Sequence, residues 1–561
     1  MEFLKGMDIS GLPELEDMGK HFYDKKGNER EIFDLLKENG VNAIRLRIWN
    51  NPENNEDKKT YCDLIHTVQM AKRIKLHQMH FLLDFHYSDY WADPGQQRKP
   101  KAWENLSFEE LKQAVYQYTK EVIETLIDNG CMPDMVQVGN EIRSGMLFPE
   151  GEVPRYHELT QLINEGLRAV KDAGKGKIQT MIHLDQGGRY AYLKEWFDAV
   201  IAEGLDDFDY IGISYYPFWH GTFADVKDSM ERLVERYQKP LMVVETAHPW
   251  RRVEGGFVDE EQEKIAGFVA NIKEQKKVID LVMNITASVS GKMAQGVYYW
   301  EPVVIPDEKS EGWSANMGIF DEKGVALPCL ESFKFTREQT CFKEVAKVYN
   351  PREIIVEKGQ KYDLPKEVEV LYFDGTLRKK AVEWKRQEIL DEDYIEVLGI
   401  VETLNQKVVQ GIRLIKEDAE GENLIQNANF TNGLDAWKVE TSSLDVKYNI
   451  NEKEHSFELN SLKNFSLKLS QEVTIKEKGN YRLGVKYCGT NTTGVVVKLV
   501  AKKTYSGILE QEELQIFPEN IGFKTYYLDL YLEEGIAYCG IDIKSPPVDG
   551  KLTDMKLIKI D

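Results

Sequence analysis

The sequence lacks most of the features that place a protein in a membrane, on nucleic acid or in a disulfide scaffold. No apolar run reaches the roughly 18 residues that a membrane-spanning helix needs. Six cysteines are scattered over 561 residues without CxxC spacing, so neither a disulfide framework nor a zinc site is predicted. With 72 Lys and Arg against 94 Asp and Glu, the net charge of −22 argues against the basic patches that nucleic acids and anionic membranes require.

A secretory signal is also missing from the N-terminus. The opening residues 1–5 run directly into strand-like sequence, without a charged region followed by an apolar one. The sequence as it stands therefore predicts a cytoplasmic protein, and a secreted one if a signal was replaced by Met1. We expect a monomer that binds neither nucleic acid nor a membrane.

Residues 1–338 alternate short apolar runs with helical patterns such as 111–128, 157–172 and 223–237. The apolar runs are about 4 to 8 residues long and rich in Val, Ile and aromatic residues, as buried parallel strands are. Eight such alternations predict an α/β fold, a (β/α)8 TIM barrel. A doubly wound open sheet is the alternative, and it is disfavoured because no GxGxxG or Walker motif follows a strand. The predicted strands are 6–10, 41–48, 80–86, 135–141, 178–185, 210–217, 241–246 and 296–301.

Beyond about residue 340, helical periodicity gives way to short alternating segments. The pair Asp374-Gly375 is a hairpin signal within this region. We predict one small β-sandwich at 343–417, an acidic linker at 416–422 and a second β-sandwich at 423–561. Strands of the second sandwich are expected around 481–487, 494–501 and 525–532.

Polar or aromatic side chains stand at the ends of nearly all the predicted barrel strands. Catalysis in a (β/α)8 barrel takes place at these ends, and a charge there is partly desolvated, which is costly unless it is paired or used. The residues concerned are Asp8, Arg45, Arg47, Asp84, His86, Asn140, Glu141, His183, Asp185, Tyr215, Tyr216, Glu245, Trp300 and Glu301.

Two of these groups, Glu141 at the end of strand four and Glu245 at the end of strand seven, face each other across the predicted barrel mouth. Two carboxyl groups about 5–5.5 Å apart are typical of a retaining glycosidase, with one as acid/base and the other as nucleophile. Glu141 is then the proton donor, which requires a raised pKa. Glu245 is the nucleophile, with Arg45 favouring its ionised form.

Other strand ends supply further roles in the same reaction. Asn140 can hydrogen-bond the 2-hydroxyl of the sugar, and Trp300 offers an apolar face to a sugar ring. Either Tyr215 or Tyr216 can orient Glu245. Each residue alone also has an ordinary structural explanation: a helix cap or ion-pair partner for a glutamate, core packing for Trp300 and a satisfied core group for His86. The combination over six strands favours the catalytic interpretation.

These residues lie in segments that resemble glycoside hydrolase family 53, the endo-β-1,4-galactanases. The resemblance extends in order over about residues 5–335, and its Trp-Ala-Asp-Pro-Gly-Gln segment is highly specific. The matching segments are Gly6-Met-Asp-Ile-Ser10, Val41-Asn-Ala-Ile-Arg-Leu-Arg-Ile-Trp49, Asp84-Phe-His-Tyr-Ser-Asp-Tyr-Trp-Ala-Asp-Pro-Gly-Gln-Gln97, Pro133-Asp-Met-Val-Gln-Val-Gly-Asn-Glu-Ile142, Ser214-Tyr-Tyr-Pro-Phe-Trp-His-Gly221 and Tyr299-Trp-Glu-Pro302.

The resemblance implies a retaining hydrolase of β-1,4-galactan, the type I arabinogalactan of pectin. It places the acid/base at Glu141 and the nucleophile at Glu245. It also implies a set of substrate-binding residues, with a weaker correspondence for Trp91, Asp185 and Trp219. That set is Arg45, His86, Trp91, Asn140, Asp185, Tyr215, Trp219 and Trp300.

The chain departs from the family pattern at three places. Many bacterial members carry a calcium-binding loop after strand seven, but residues 246–256 contain no such run of ligands, so no metal or other cofactor is expected. His248 stands where a tyrosine is usual. Val303-Val304 replaces a small residue followed by tryptophan, which bears on the preferred chain length rather than on the chemistry.

The C-terminal region carries weaker resemblances. Residues 343–417 resemble a bacterial immunoglobulin-like spacer, and 423–561 open like a jelly-roll carbohydrate-binding module, with a non-binding sandwich as the alternative. For the whole chain two other functions remain open at this point. One is a retaining hydrolase of another β-1,4-glycan, and the other is a glycan-binding protein without catalysis.

Overall fold

The structure is a computed structural model in which the chain forms two compact units. The first comprises residues 1–349 with 369–379, and the second comprises 350–368 with 380–561. No helix among the described residues is long and apolar enough to cross a membrane. The residues described are 2–54, 61–254, 256–307, 310, 312–351, 353–359, 361–389, 393–415, 422–441, 447–461, 465–489, 496–505, 508–516, 524–545 and 548–560.

Eight parallel strands of the first unit close into a barrel, in the order β1-β8-β7-β6-β5-β4-β3-β2. The predicted (β/α)8 barrel is therefore confirmed, and the open-sheet alternative is wrong. The strands are β1 (Leu4–Asp8), β2 (Ala43–Ile48), β3 (His80–Phe85), β4 (Met135–Val138), β5 (Gln179–Leu184), β6 (Tyr210–Ser214), β7 (Leu241–Thr246) and β8 (Ala294–Trp300).

Helices connect successive barrel strands. Helix α4 starts three residues earlier than the predicted 111, because Ser107 and Glu110 form a capping box that satisfies the first backbone N–H groups. Thr222 and Asp225 do the same for α7. The helices are α1 (Leu12–Asp17), α2 (Ile32–Glu38), α3 (Leu64–Leu76), α4 (Phe108–Asp128), α5 (Tyr156–Gly174), α6 (Tyr190–Ala202), α7 (Phe223–Tyr237), α8 (Glu260–Ala266) and α9 (Ile272–Ala287).

Side chains from all eight strands fill the lower half of the barrel interior. Because side chains alternate along a strand, the residues two and four positions after each of these interior side chains also point inward. In β2 and β3 those residues are polar. The sequence therefore builds an apolar plug below a polar layer that opens at the C-terminal end. The plug consists of Leu4, Ala43, Leu82, Met135, Met181, Tyr210, Met242, Val244 and Tyr298.

Strand β7 breaks this alternation just before its end. Between residues 243 and 246 it advances three positions while β8 advances two, from 297 to 299. The additional residue forms a β-bulge, which re-aims the side chain beside it. As a result Val244 belongs to the apolar plug and its neighbour Glu245 also turns toward the barrel interior.

In the described residues outside the barrel there are two short two-stranded sheets, Phe22–Tyr23 with Glu29–Arg30 and Gly145–Met146 with Gly151–Glu152, and four larger antiparallel or mixed sheets. The orders of these four are β9-β11-β12, β10-β15-β14-β13, β16-β19-β24-β21-β22 and β17-β18-β25-β20-β23. The last two, each of five strands, enclose one apolar core. The strands are β9 (Val345–Val348), β10 (Ile354–Glu357), β11 (Glu367–Tyr372), β12 (Leu377–Ala381), β13 (Glu383–Ile389), β14 (Tyr394–Val401), β15 (Gln406–Ile415), β16 (Lys438–Thr441), β17 (Lys447–Asn451), β18 (Ser456–Ser461), β19 (Phe465–Ile475), β20 (Gly479–Gly489), β21 (Val496–Tyr505), β22 (Ile508–Ile516), β23 (Lys524–Leu532), β24 (Gly535–Ser545) and β25 (Val548–Lys559).

The predicted β-rich C-terminal region is thus confirmed. The three domain boundaries, at 338, 343–417 and 423–561, stay a prediction. Most of the proposed linker at 416–422 lies outside the described residues.

Candidate active site

Glu141 and Glu245 meet at the C-terminal end of the barrel. Glu141 lies three residues beyond β4, in the left-handed conformation at φ 46°. Such a conformation is uncommon for a residue with a side chain and is typical of functional sites. One carboxylate oxygen of each glutamate and one ring nitrogen of His183 all lie within 4.8 Å of one another. The two carboxyl groups are therefore close enough to act on the same atom of a substrate.

Arg45 forms the centre of a buried ion cluster beneath the pair. Its guanidinium lies 2.9 Å from Asp8, 2.8 Å from Asp84 and 2.9 Å from Glu245. It also donates a hydrogen bond of 2.8 Å to Oδ1 of Asn140. The rigid, multidentate geometry of arginine suits this arrangement, which fixes Glu245 and Asn140 relative to each other.

Glu245 has a second hydrogen-bond donor on its other carboxylate oxygen. The hydroxyl of Tyr216 donates to Oε2 over 3.1 Å, while Arg45 holds Oε1. Tyr215, the tyrosine predicted among the binding residues, instead donates to the backbone oxygen of Gly221 and is completely buried. Of the two tyrosines that the sequence leaves open for orienting Glu245, the one in contact with it is therefore Tyr216, and substrate binding by Tyr215 stays a prediction.

The loop after β3 is fastened to this cluster through Ala92. The backbone N–H of Ala92 donates to Nδ1 of His86 over 3.0 Å, and its carbonyl accepts from Nδ2 of Asn140 over 2.8 Å. Nδ1 of His86 is thus an acceptor, so its proton is on Nε2, which lies 3.1 Å from Asp84. His86 thereby orients both the loop and the carboxylate of Asp84.

Glu141 ends a short hydrogen-bond chain from the barrel interior. Nδ1 of His183 accepts from Gln137 Nε2 at 3.0 Å and from the backbone N–H of Glu141 at 3.4 Å. The proton of His183 is therefore on Nε2, and it donates to Ser214 Oγ over 2.8 Å. The hydroxyl of Ser214 then donates to Glu141 Oε1 over 2.5 Å.

Burial controls the protonation of these groups. It raises the pKa of Glu141 well above its ordinary value, and the charges of Glu245 and Asp185 raise it further. Burial also raises the pKa of Glu245, to about 7, although Arg45 opposes the rise. The pKa of His183 is lowered well below its ordinary value by burial and by Arg45, so its ring is neutral. Near neutral pH, Glu141 holds a proton more firmly than Glu245 does.

Aromatic rings line one side of the mouth. Trp300 lies 4.4 Å from Trp313 and 5.8 Å from Trp91, measured between ring centroids. The guanidinium of Arg47 lies over the ring of Trp91, 4.1 Å from the ring centroid, and holds that ring in place. Half-exposed indole rings of this kind present flat apolar faces to a ligand.

The other predicted residues lie on the acid side of the mouth. Asp185 is buried, accepts from Nε of Arg143 over 2.8 Å and raises the pKa of Glu141. Trp219 packs edge-on against Tyr216, with 5.5 Å between ring centroids. The structure therefore brings the predicted residues to one end of the barrel, with the single exception of the ring of Tyr215.

Sequence reasoning gave no role to Gln137, His183, Ser214 or Trp313. A signal existed for the first two, since each stands two residues beyond a plug residue on the same face of its strand, Met135 or Met181. Trp313 comes from a 3-10 turn at Gly312–Ala315, far along the chain, and no periodicity points to it.

The residues after β7 do not fit calcium. Two guanidiniums occupy this loop, where Arg251 pairs with Glu322 and Arg252 with Glu263. His248 is buried there, and burial lowers its pKa to about 4. At the mouth, both ring nitrogens of His183 are already hydrogen-bonded and Glu245 is paired with Arg45. The cluster of Glu141, His183 and Glu245 is therefore better explained by proton transfer than by metal binding. That the protein needs no cofactor stays a prediction.

Two family models match the chain. One is described as Glycosyl hydrolase family 53 and matches residues 4–333. The other, described as Bacterial Ig-like domain (group 4), matches residues 350–401.

Individual relatives agree with the first match. A Niallia circulans protein described as uncharacterised is 42% identical over 351 residues, which cover 59% of this chain and 93% of the relative. The endo-beta-1,4-galactanase of Bacillus subtilis (strain 168) is 32% identical and is covered over 86% of its length by 60% of this chain. Among solved structures, the Ignisphaera aggregans GH53 catalytic domain is 37% identical with a TM-score of 0.56, covering 59% of this chain and 96% of that domain.

Proposed function

The chain belongs to glycosyl hydrolase family 53 and is a glycoside hydrolase, and from this premise we propose that it cleaves β-1,4-galactan by double displacement. The observation that supports the mechanism is the proximity of Glu141 and Glu245, whose nearest carboxylate oxygens lie within 4.8 Å. Retaining glycosidases require this close spacing, because the second carboxylate attacks the sugar directly and leaves no room for water between them.

In the first displacement, Glu245 attacks the anomeric carbon of the sugar. A bond forms between its carboxylate oxygen and that carbon as the glycosidic bond breaks. The proton of Glu141 moves to the departing oxygen, so the leaving chain departs as a neutral alcohol. The raised pKa of Glu141 keeps this proton available near neutral pH.

In the second displacement, water enters where the leaving chain was. Glu141, now ionised, removes a proton from the water as the water oxygen attacks the anomeric carbon and releases Glu245. Ser214 and neutral His183 stabilise the ionised Glu141 during this stage, since Ser214 donates to Oε1 and His183 donates to Ser214.

Charge at the nucleophile is balanced by Arg45 and Tyr216. Both donate to Glu245 in the resting state, and both remain in place as its negative charge disappears and returns. Asn140 uses one N–H for Ala92, which leaves the other for the 2-hydroxyl of the bound sugar. Fixed donors of this kind need no reorganisation during the reaction.

The galactan specificity of the proposal rests on relatives. The Bacillus subtilis protein is named for endo-β-1,4-galactan cleavage. The half-exposed Trp91 and Trp300 suit a galactan chain, because the apolar faces of galactose rings stack on indole.

The test is to measure reducing ends released from linear β-1,4-galactan, with β-mannan and cellulose as controls. We expect release from galactan alone, with first-formed products in the β configuration by NMR. Activity on another β-1,4-glycan but not on galactan would refute the substrate and keep the mechanism. Inactivity on all three, together with retained binding to galactan, would support a binding protein instead.

We also propose that the C-terminal sandwich binds glycan, on the basis of a cavity of about 630 Å³. Trp437 and the 37% exposed Tyr538 line it, together with the ion pair of Lys438 and Glu440. Aromatic rings beside hydrogen-bonding groups are typical of sugar sites. Affinity electrophoresis in galactan-containing gels tests this proposal, with Tyr538→Ala as the variant.

A further inference from the structure

His220 is a buried histidine that takes no part in the two displacements. It belongs to the segment Ser214-Tyr-Tyr-Pro-Phe-Trp-His-Gly221, which includes the end of β6 and stops two residues before α7. Only 5% of its surface is exposed. Burying a ring with two polar nitrogens is costly unless those nitrogens are hydrogen-bonded, so the partners of this ring indicate what it does.

The ring of His220 is bound to the turn formed by residues 214–216. Its Nδ1 lies 3.0 Å from the carbonyl oxygen of Ser214 and 3.4 Å from the backbone nitrogen of Tyr216. In one tautomer Nδ1 donates to the carbonyl, and in the other it accepts from the N–H, so either tautomer holds the same turn. The ring also packs edge-on against the ring of Tyr216, with 5.5 Å between centroids. His220 therefore fixes both the backbone of the turn and the ring of the tyrosine.

The same turn carries hydrogen-bond donors to both glutamates. The hydroxyl of Ser214 donates to Glu141 over 2.5 Å, and the hydroxyl of Tyr216 donates to Glu245 over 3.1 Å. Between these two residues, the backbone N–H of Tyr215 donates to the carbonyl oxygen of Glu245 over 2.8 Å. A shift of this turn therefore changes the contacts of the acid and of the nucleophile at once.

The backbone of His220 is itself held on both sides. Its N–H donates to the carbonyl oxygen of Tyr216 over 2.8 Å, and its own carbonyl accepts from the N–H of Gly188 over 3.0 Å. Gly188 belongs to the loop between β5 and α6, and a Cβ at this position would lie 2.2 Å from that carbonyl oxygen, so only glycine fits. Two loops thus fix the backbone that carries the ring.

Charged groups on three segments surround the ring, which nevertheless stays neutral. Arg143 follows β4, Asp185 follows β5 and Arg189 directly precedes α6, while neutral His183 lies on β5. Burial lowers the pKa of His220 to about 4, the two arginines lower it further, and Asp185 with the carbonyl of the turn opposes the fall only in part. The contact between ring and turn is therefore unchanged over the pH range in which the two glutamates titrate.

We propose that His220 is a positioning residue that aligns the acid/base and the nucleophile together, through the backbone of residues 214–216. The proposal rests on the function given above, because it requires the roles assigned there to Glu141 and Glu245. It also has a consequence for protonation. The hydroxyl of Ser214 lowers the pKa of Glu141 and that of Tyr216 lowers the pKa of Glu245, so a loosened turn acts on both carboxyl groups in the same direction.

The experiment compares four full-length proteins on linear β-1,4-galactan: the wild type, His220→Phe, His220→Asn and His248→Phe. Phenylalanine keeps a ring against Tyr216 and lacks Nδ1, whereas the amide of asparagine keeps a hydrogen-bonding group near the position of Nδ1. His248→Phe is the matched control, because His248 is also buried but contacts the carbonyl oxygen of Val269 instead of the turn. The dependence of kcat/KM on pH is measured for each protein.

For His220→Phe we expect both limbs of the pH profile to move to higher pH. Weaker donation from the turn raises the pKa of Glu141, which moves the basic limb, and the pKa of Glu245, which moves the acidic limb. We expect kcat to fall about 10- to 100-fold with KM nearly unchanged, since a misplacement of about 1 Å has an effect of this order. His220→Asn and His248→Phe should keep both limbs near their wild-type positions.

The positions of the limbs do not depend on the fraction of enzyme that is folded, so a merely structural role would leave them in place. If His220→Phe does not fold, as judged by its unfolding midpoint, His220→Leu replaces it with the same expected shifts. Unchanged limbs in the folded variant, or movement of one limb alone, would overturn the joint positioning and leave the proposed function intact. Shifts of equal size in His220→Asn or His248→Phe would overturn it as well. A wild type that is inactive on galactan would refute both.

Discussion

The two units of the molecule differ in what they bury. Around the barrel, Asp8, Arg45, Asp84, Asp185 and Glu245 are all nearly inaccessible to solvent. In the described part of the second unit, the buried polar residues are Gln410, Ser456, Gln471 and Thr553, and none of them is charged. Both units have extended apolar cores, so stable folding does not account for the difference.

Buried charge is expensive, and none is found among the described residues of the second unit. Removing an ion from water costs several kcal/mol, and pairing only partly offsets this cost. The buried ions named above, which carry this cost, lie at the end of the barrel where the two glutamates meet. The contrast indicates that the buried charges serve chemistry there.

The largest expected effect follows from removing the nucleophile. Glu245→Ala should lower kcat by on the order of 10⁴- to 10⁶-fold, as the loss of a covalent catalyst does in other hydrolases. Added azide should then restore turnover through direct attack from the vacated side, giving the α-galactosyl azide. NMR of the azide product measures this outcome.

Glu141→Ala is the matched control, since it leaves the nucleophile in place. Here azide should intercept the glycosyl-enzyme and give the β-galactosyl azide, most visibly with a substrate whose leaving group needs no protonation. The same anomer from both variants would reject the division of roles between the two glutamates.

A smaller but still large effect is expected for Arg45→Met. Because Arg45 lowers the pKa of Glu245, its loss raises that pKa, and the acidic limb of the kcat/KM profile should move upward from about pH 7. We expect kcat/KM to fall about 100- to 1,000-fold. The unpaired Asp8 and Asp84 should also lower the free energy of unfolding by about 3–5 kcal/mol.

Arg45→Lys separates charge from geometry in this cluster. It keeps the positive charge, so the acidic limb should stay closer to that of the wild type, but one ammonium group cannot reach all the partners of the guanidinium, Asp8, Asp84, Gln137, Asn140 and Glu245. If both variants have the wild-type acidic limb, Arg45 does not control the ionisation of Glu245.

Ser214→Ala should have an intermediate effect. It removes the donor to Glu141, which normally lowers the pKa of that carboxyl, so the pKa should rise further. The basic limb of the pH profile reports loss of the proton from Glu141, and it should therefore move to higher pH. We expect kcat to fall about 10- to 30-fold, consistent with one hydrogen bond to a charged group. Ser214→Thr keeps the hydroxyl and should restore the wild-type basic limb, whereas a merely structural role would leave that limb unchanged in both variants.

The smallest effect is expected in the second unit. Tyr538→Ala alters an exposed ring in the unit whose described residues include no buried charge, so kcat/KM on a soluble galactotriose should change less than about twofold. Retention in a galactan gel should weaken by a few-fold instead. A large loss of kcat in this variant would contradict the separation of chemistry from binding between the two units.

Sequence periodicity predicted the barrel well because its strands are short, apolar and regular. It also located Glu141 and Glu245, since both lie at strand ends. Periodicity could not predict to which side of a strand the side chain of each end residue points. Strict alternation places Val244 inward and Glu245 outward, and only the bulge in β7 turns the glutamate into the barrel. The sequence left the choice between Tyr215 and Tyr216 open for a related reason, because these adjacent residues follow the end of β6 and point in different directions.

The network around Glu141 was harder still to predict. Ser214 and His183 come from neighbouring strands that are paired in register, but their side chains join only through the packing of the barrel. Trp313 reaches Trp300 from a turn whose sequence has no periodic pattern. Contacts between side chains distant in sequence depend on packing, which a single sequence does not reveal.

The bulge in β7 lets two consecutive side chains face the barrel interior, with Val244 in the apolar plug and Glu245 in the ion cluster above it. A regular strand turns only every second side chain to the same side, so without the bulge one of the two would point away from the interior. Removing Val244 would leave the single inward position to the carboxylate and take a side chain out of the plug beneath it. A single strand thus supplies both the apolar packing under the site and the nucleophile in it only because its pairing is locally irregular.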